Sequence, residues 1–292
     1  MDLKTLTNSV PFVLGVFLAG PFGGMGIFAL QKALRPRAYS ERVQQAGGSA
    51  ILNLWMKEYG YWWLRPQVRF LVWLGATPTS ITVGGLAAVY LGCLATARGY
   101  FGLGGLIILI ASLSDMLDGM VARQRNMCSQ AGEFIDSVVD RYADLGLCAG
   151  LLAYYADQPA MVAFTTLAAS GAMLVSYIRA KAESLGIWNV PSGLMQRAER
   201  AVYLGFGIFL SPVVAAYTEA PSSHPTYGLA IAAVVAVAVL THISALRMLL
   251  FTVHYLRKHA APDMAAQASA TAARLDESAT ADASHLPGAA AS

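Results

Sequence analysis

The sequence predicts an all-α, polytopic membrane protein, and three observations predict it. Of 292 residues, 56% are hydrophobic and only 13% charged, against roughly 25% charged in soluble domains. Several apolar stretches reach the roughly 20 residues that a helix needs to cross hydrocarbon. No stretch shows the alternation of a barrel strand, so backbone polar groups in lipid would be satisfied inside helices. The net charge of +3 is small, and no basic run carries interleaved aromatics, which argues against nucleic acid as a partner. Cys93, Cys128 and Cys148 are widely spaced without a CxxC pair, so they read as free thiols.

In chain order, residues 9–31 are apolar and glycine-rich. The run is long for the core of a cleavable leader, and no A-x-A site ends it, so it reads as one extra N-terminal transmembrane helix. Lys32, Arg35, Arg37 and Arg42 follow, and residues 1–50 form a unit of that helix and a basic linker. Residues 51–74 mix Trp55, Tyr59, Tyr61, Trp62, Trp63 and Trp73 with Lys57, Arg65 and Arg69. That composition suits an amphipathic helix at headgroup level, broken or kinked at Pro66. Six core spans are expected at 79–97, 102–121, 133–155, 160–182, 200–217 and 226–253, with residues 51–259 forming the membrane domain. From Ala260 the chain is rich in Ala, Ser, Asp and Thr. Residues 260–292 read as a disordered tail, with a short helix at 263–275 as the alternative. Lys and Arg concentrate in 32–74, 122–132, 179–200 and 254–259, whereas the intervening loops hold only Arg98. The positive-inside rule puts the basic segments in the cytoplasm. The expectation is therefore a multi-pass protein of the cell (inner) membrane, with its N-terminus outside.

One polar stretch interrupts this pattern. Residues 114–144 place Asp115, Asp118, Asp136, Asp140 and Asp144 between apolar runs. Carboxylates at membrane depth are costly and mark function. Asp115 and Asp118 are i, i+3, and Asp136 and Asp140 are i, i+4, so each pair shares a helix face. Two such helices facing each other would bring four carboxylates together, where a cation must offset their repulsion. Mg²⁺ sites pair carboxylates with phosphate oxygens, so the stretch reads as a metal–phosphate site.

Asp115-x-x-Asp118-Gly119-x-x-Ala122-Arg123, then eight residues, then Gly132-x-x-x-Asp136-x-x-x-Asp140 resembles the signature of the CDP-alcohol phosphotransferase (CDP-alcohol phosphatidyltransferase) family of membrane enzymes. All eight positions are filled. The resemblance extends loosely from about Leu54 to Leu256. It implies Mg²⁺ or Mn²⁺, as two ions, on Asp115, Asp118, Asp136 and Asp140. It also implies that Asp140 is the base that deprotonates an alcohol for attack on a CDP-linked lipid, CDP-diacylglycerol in the first instance, with release of CMP. Asp118, Gly119, Ala122, Arg123 and Gly132 would hold the CDP diphosphate, the small residues allowing close approach and Arg123 pairing with phosphate oxygens. A homodimer is implied in the same way.

The basic groups beside the acids point to an anionic acceptor. They are Arg141, Arg179 and Lys181 in Ser176-Tyr177-Ile178-Arg179-Ala180-Lys181-Ala182-Glu183, and Arg197 and Arg200 in Gln196-Arg197-Ala198-Glu199-Arg200. These segments look like those of the phosphatidylinositol phosphate synthase branch, with Arg179 standing where the branch has Lys and Lys181 where it has Arg. The implied acceptor is a phosphorylated polyol such as inositol phosphate. A phosphatidylglycerophosphate synthase, or another head-group transferase, is the alternative within the family. A cation-conducting or structural membrane protein is the alternative outside it. Asp144, about 80° around the helix from Asp136, reads as an arginine partner or a group behind the site. Gly102-Leu103-Gly104-Gly105, at the end opposite the acids, reads as a packing feature.

Overall fold

The computed structural model describes residues 2–19, 23–34, 54–191, 193–220, 222 and 224–283, and beyond His259 only their backbone. The basic linker from Arg35 and the last nine residues lie outside the described residues. Every regular element among the described residues is helical: α1 (Leu3–Thr7), α2 (Val10–Ala19), α3 (Met25–Leu34), α4 (Leu54–Trp73), α5 (Pro78–Ala97), α6 (Phe101–Ala111), α7 (Ser114–Gln124), α8 (Gln130–Tyr154), α9 (Pro159–Ser184), α10 (Arg197–Thr218) and α11 (Gly228–Ala283).

Five of these stretches are long and apolar enough to cross a membrane: Pro78–Ala97, Phe101–Gln124, Pro159–Ser184, Arg197–Thr218 and Gly228–His259. They answer to five of the six expected core spans. The sixth, α8, has 25 residues, but Glu133, Asp136, Asp140, Arg141 and Asp144 all fall before its last ten. The helices pack as a bundle in which α5 lies against α8 and α6, α10 against α6 and α11, and α9 against α11 and α8. Phe101, Ile108, Leu147, Leu151, Ile208 and Val237 belong to one continuous buried apolar cluster inside it.

Local chemistry fixes the helix ends that matter. Thr77 caps α5, its side chain accepting from Ser80 N while Ser80 answers to Thr77 N, with Pro78 at the first helical position. This arrangement satisfies two orphan donors at once. Ser129 caps α8 by accepting from the Gly132 backbone N–H at 3.1 Å. Between α6 and α7 the helix is interrupted at Ser112–Leu113, and the Ser112 and Ser114 hydroxyls donate to the Ile108 and Ala111 carbonyls at 2.8 and 2.6 Å. Serine hydroxyls competing for helix carbonyls favour such a break. Beside it, a Cβ on Gly85 would lie 2.1 Å from Ser114 Oγ, so only glycine lets α5 and α7 meet there.

Three expectations need correction. The N-terminal apolar run is not one helix: α2 and α3 are ten residues each. Gly20-Pro21-Phe22-Gly23-Gly24 separates them, and proline and glycine in a helix interior break it. The two pieces still run from one end of the bundle to the other. Asn8, ahead of α2, donates to the Gly99 carbonyl at 2.9 Å, while Phe28 of α3 packs between Trp55, Tyr59 and Trp62 of α4, with ring centroids 5.4–5.5 Å apart. Second, α4 is not broken at Pro66 but continues through it, because a proline removes one N–H and leaves the rest of a 20-residue ladder in place. Third, α11 continues as helix past Ala260 to Ala283, in keeping with the alanine content of that stretch.

Candidate active site

The interruption before α7 and the serine cap of α8 aim two acidic helix faces at each other. One carboxylate oxygen from each of Asp115, Asp136 and Asp140 lies within 4.8 Å of the others. Asp136 Oδ1 is buried and accepts no hydrogen bond. A buried acceptor without a donor costs free energy, and an all-oxygen donor set of this size fits a hard divalent cation. Asp136, Asp140 and Asp115 would hold it. The fourth expected ligand, Asp118, lies outside this triad. It is buried at 7% exposure, and its Oδ2 accepts from the Thr82 hydroxyl at 2.7 Å.

Arginines surround the acids. Arg197 Nη1, from the first turn of α10, bridges Asp115 Oδ2 and Asp140 Oδ1, the latter at 2.7 Å. Arg141 Nη1 lies 3.7 Å from Asp140 Oδ2 and donates to the Ser137 carbonyl at 2.8 Å. One turn further along α8, Asp144 meets Arg200 Nη2 at 2.7 Å, with side chains 7% and 4% exposed. Arg200 was expected to face an acceptor; instead it is enclosed with Asp144, because a buried carboxylate requires a charged partner. Sequence reading allowed Asp144 an arginine partner and could not say which one, since the pair is made between α8 and α10.

The residues expected to hold a diphosphate lie on α7 and at the start of α8, the two helices that carry the triad. A Cβ on Gly119 would lie 3.1 Å from both Nη1 and Nη2 of Arg123, so the guanidinium rests over the glycine. Ala122 and Gly132 are half-buried, Arg123 exposed. Arg179 is half-buried and Lys181 exposed at the end of α9. Among the described residues neither side chain makes an ion pair, and the structure does not join them to the triad. Two contributors were missed as site residues. Thr82 was not assigned to the site, and its contact with Asp118 runs from α5 to α7, so no local spacing marks it. Arg125 donates to the Gly75 and Ala76 carbonyls at 2.9 and 2.7 Å, fastening the turn between the acidic helices to the end of α4.

A helical bundle able to cross a membrane several times, with a carboxylate site for divalent cations on facing helices, defines the class. Residues 76–243 match the CDP-alcohol phosphatidyltransferase family, more than half of the chain, and the chain belongs to that family. It is 35% identical over 159 residues to a phosphatidylinositol phosphate synthase of Streptomyces avermitilis, covering 53% of this chain and 65% of that protein. It thus spans just under two thirds of that relative. A phosphatidylinositol phosphate synthase of Mycolicibacterium smegmatis is 32% identical over 151 residues, covering 50% of this chain and 68% of the relative. Among solved structures, the Mycobacterium tuberculosis phosphatidylinositol phosphate synthase with CDP-DAG bound superposes with a TM-score of 0.56 at 27% identity, over 64% of this chain and 92% of that one. The same enzyme with manganese and citrate gives a TM-score of 0.56, over 64% and 87%.

Proposed function

We propose that this chain transfers a phosphatidyl group from a CDP-linked lipid, CDP-diacylglycerol, to a phosphorylated polyol of the inositol phosphate class, releasing CMP. The observation that carries the reading is the triad of Asp115, Asp136 and Asp140, with the buried Asp136 Oδ1 left without a partner, set beside Arg141 and Arg197. Relatives named as phosphatidylinositol phosphate synthases support the acceptor class, and the bound CDP-DAG and manganese in one of them support the donor and the metal.

Divalent cations, Mg²⁺ or Mn²⁺ and two in number, would neutralise the diphosphate and assist departure of the leaving phosphate. Arg123, over Gly119, pairs with diphosphate oxygens. Asp140 accepts the proton of the acceptor hydroxyl. The freed oxygen bonds to the β-phosphorus, and the bond from that phosphorus to the bridging oxygen breaks, so that CMP carries the electron pair away. Arg141 and Arg197 take the acceptor's phosphate, with Arg179 and Lys181 further out. Arg200 stays with Asp144. The site faces the cytoplasm of the inner membrane, where CTP-derived nucleotide and soluble acceptor are at hand, and the protein works as a homodimer.

The test is CMP release by purified protein in nanodiscs with CDP-diacylglycerol and Mg²⁺, given inositol 1-phosphate, inositol, glycerol 3-phosphate or serine one at a time. Release with inositol 1-phosphate alone is expected. Release with glycerol 3-phosphate alone moves the chain to the phosphatidylglycerophosphate branch. If CDP fails to bind in the presence of metal, the transferase reading falls. Arg141→Ala is expected to raise the acceptor KM more than the donor KM; equal effects would remove Arg141 from the acceptor site.

A further inference from the structure

The position of Arg197 has a consequence for how the site is loaded. Its Nη1 contacts Asp115 and Asp140 together, inside the same 4.8 Å group of oxygens that fits a divalent cation. A guanidinium and a metal ion cannot both occupy that volume. Charge points the same way. The three carboxylates, set against Arg141 alone, carry two formal negative charges. One divalent cation cancels them and leaves Arg197 with nothing to balance.

The side chain is also built to let go. Its Nε is buried without a hydrogen-bond partner, so only the far end of the guanidinium is anchored. About a quarter of the side chain is exposed, which gives it a route to the open side of the site. The backbone beneath it has no such freedom. Three residues on, Arg200 is fixed to Asp144 in a buried pair, and the first turn of α10 is closed by Glu199 accepting from Gln196 N at 2.8 Å.

Resting on the metal-dependent reading above, we propose that Arg197 is the resident counter-ion of the metal-free acid triad, and that a divalent cation displaces it. Metal loading would thus release the guanidinium for an acceptor phosphate. An acceptor arriving before the metal meets an arginine already committed to Asp115 and Asp140, so the exchange imposes an order of binding on the site.

A competitor lowers apparent affinity by the fraction of protein it occupies. If Arg197 sits on the acids in about nine molecules of ten, its removal tightens metal binding about tenfold. The experiment is a Mn²⁺ titration followed by electron paramagnetic resonance on the full-length protein in detergent, without lipid or acceptor. Arg197→Gln is expected to bind Mn²⁺ about tenfold tighter than the unmodified protein, with a larger Mn²⁺-induced rise in Tm. Weaker or unchanged Mn²⁺ binding in a variant that still melts cooperatively overturns the exchange and makes Arg197 a scaffold of the triad. Should Arg197→Gln not fold, Arg197→Met carries the test. Its unbranched apolar stem keeps the bulk and removes the charge, so Mn²⁺ should bind tighter than in the unmodified protein, and no gain overturns the idea. Absence of Mn²⁺ binding in the unmodified protein would instead sink the metal-dependent reading on which the exchange rests.

Discussion

The two ends of the bundle solve opposite problems. At the end away from the acids, Phe101 and Tyr227 stack with ring centroids 3.9 Å apart, and Tyr154 and Tyr155 donate to the Pro225 and Thr226 carbonyls at 2.6 and 2.9 Å. Asn8 donates to Gly99 O and Tyr227 Oη and accepts from Gly102 N. The polar groups there are paired, and the Gly102–Gly105 segment packs as the sequence led us to expect. At the acid end, the buried side-chain polar atoms left without a hydrogen-bond or ion-pair partner among the described residues are Asp136 Oδ1, Arg197 Nε and Arg200 Nε. One end is closed by satisfied hydrogen bonds. The other keeps donors and acceptors unspent, and an unspent buried group is what a ligand can satisfy. Fully paired polar groups and unspent ones thus sit at opposite ends of the bundle.

That contrast can be broken at several points. The largest expected effect is on chemistry alone: Asp140→Asn should cut turnover by about a hundred- to ten-thousand-fold while CDP binding is largely retained, measured by CMP release and by calorimetry. Full activity in that variant would remove Asp140 from the base role. Next is the pair that supports the site from below. Asp144→Ala leaves Arg200 buried and unpaired, at a cost of about 3–5 kcal/mol, read from SDS unfolding titrations. A loss under about 1 kcal/mol would mean that the pair is more solvated than its 7% and 4% exposure implies. Thr82→Val strips the donor from Asp118 and should cost about 1.5–3 kcal/mol by the same titration, with CDP affinity falling as Asp118 loses its orientation. The smallest effect belongs to the closed end. Tyr154→Phe should cost about 0.5–1.5 kcal/mol and leave CMP release unchanged; a fall in turnover there would show that the two ends are coupled.

The acidic motif was legible because its information is local. Spacings of three and four on a helix fix which carboxylates share a face, whatever packs against them. The class of fold was legible for a related reason, since apolar length is a property of each segment alone. What escaped is what one helix does to another. Arg200 and Arg197 are three residues apart and equally basic, yet one is enclosed with Asp144 and the other set on the triad. Only the register between α8 and α10 distinguishes them. Thr82 lies 36 residues from Asp118, and nothing in its immediate neighbours announces the contact. The break between α2 and α3 is a different kind of miss. Gly20-Pro21 with Gly23-Gly24 was on the page as a helix breaker, and the length of the apolar run outweighed it.

Asn8 also sets a clock. Its amide meets Tyr227 across 219 residues of chain, and a ribosome adding about 5–20 residues per second needs about 10–40 s to supply that partner. Asp115 and Arg197 are separated by 82 residues, about 4–16 s of synthesis at the same pace. Asn8 can meet Gly99 and Gly102 long before Tyr227 is made, so this end of the bundle closes in two stages. Arg197 is made 30 residues before Tyr227, about 2–6 s at this pace, so the cation site has all its parts before the opposite end can close.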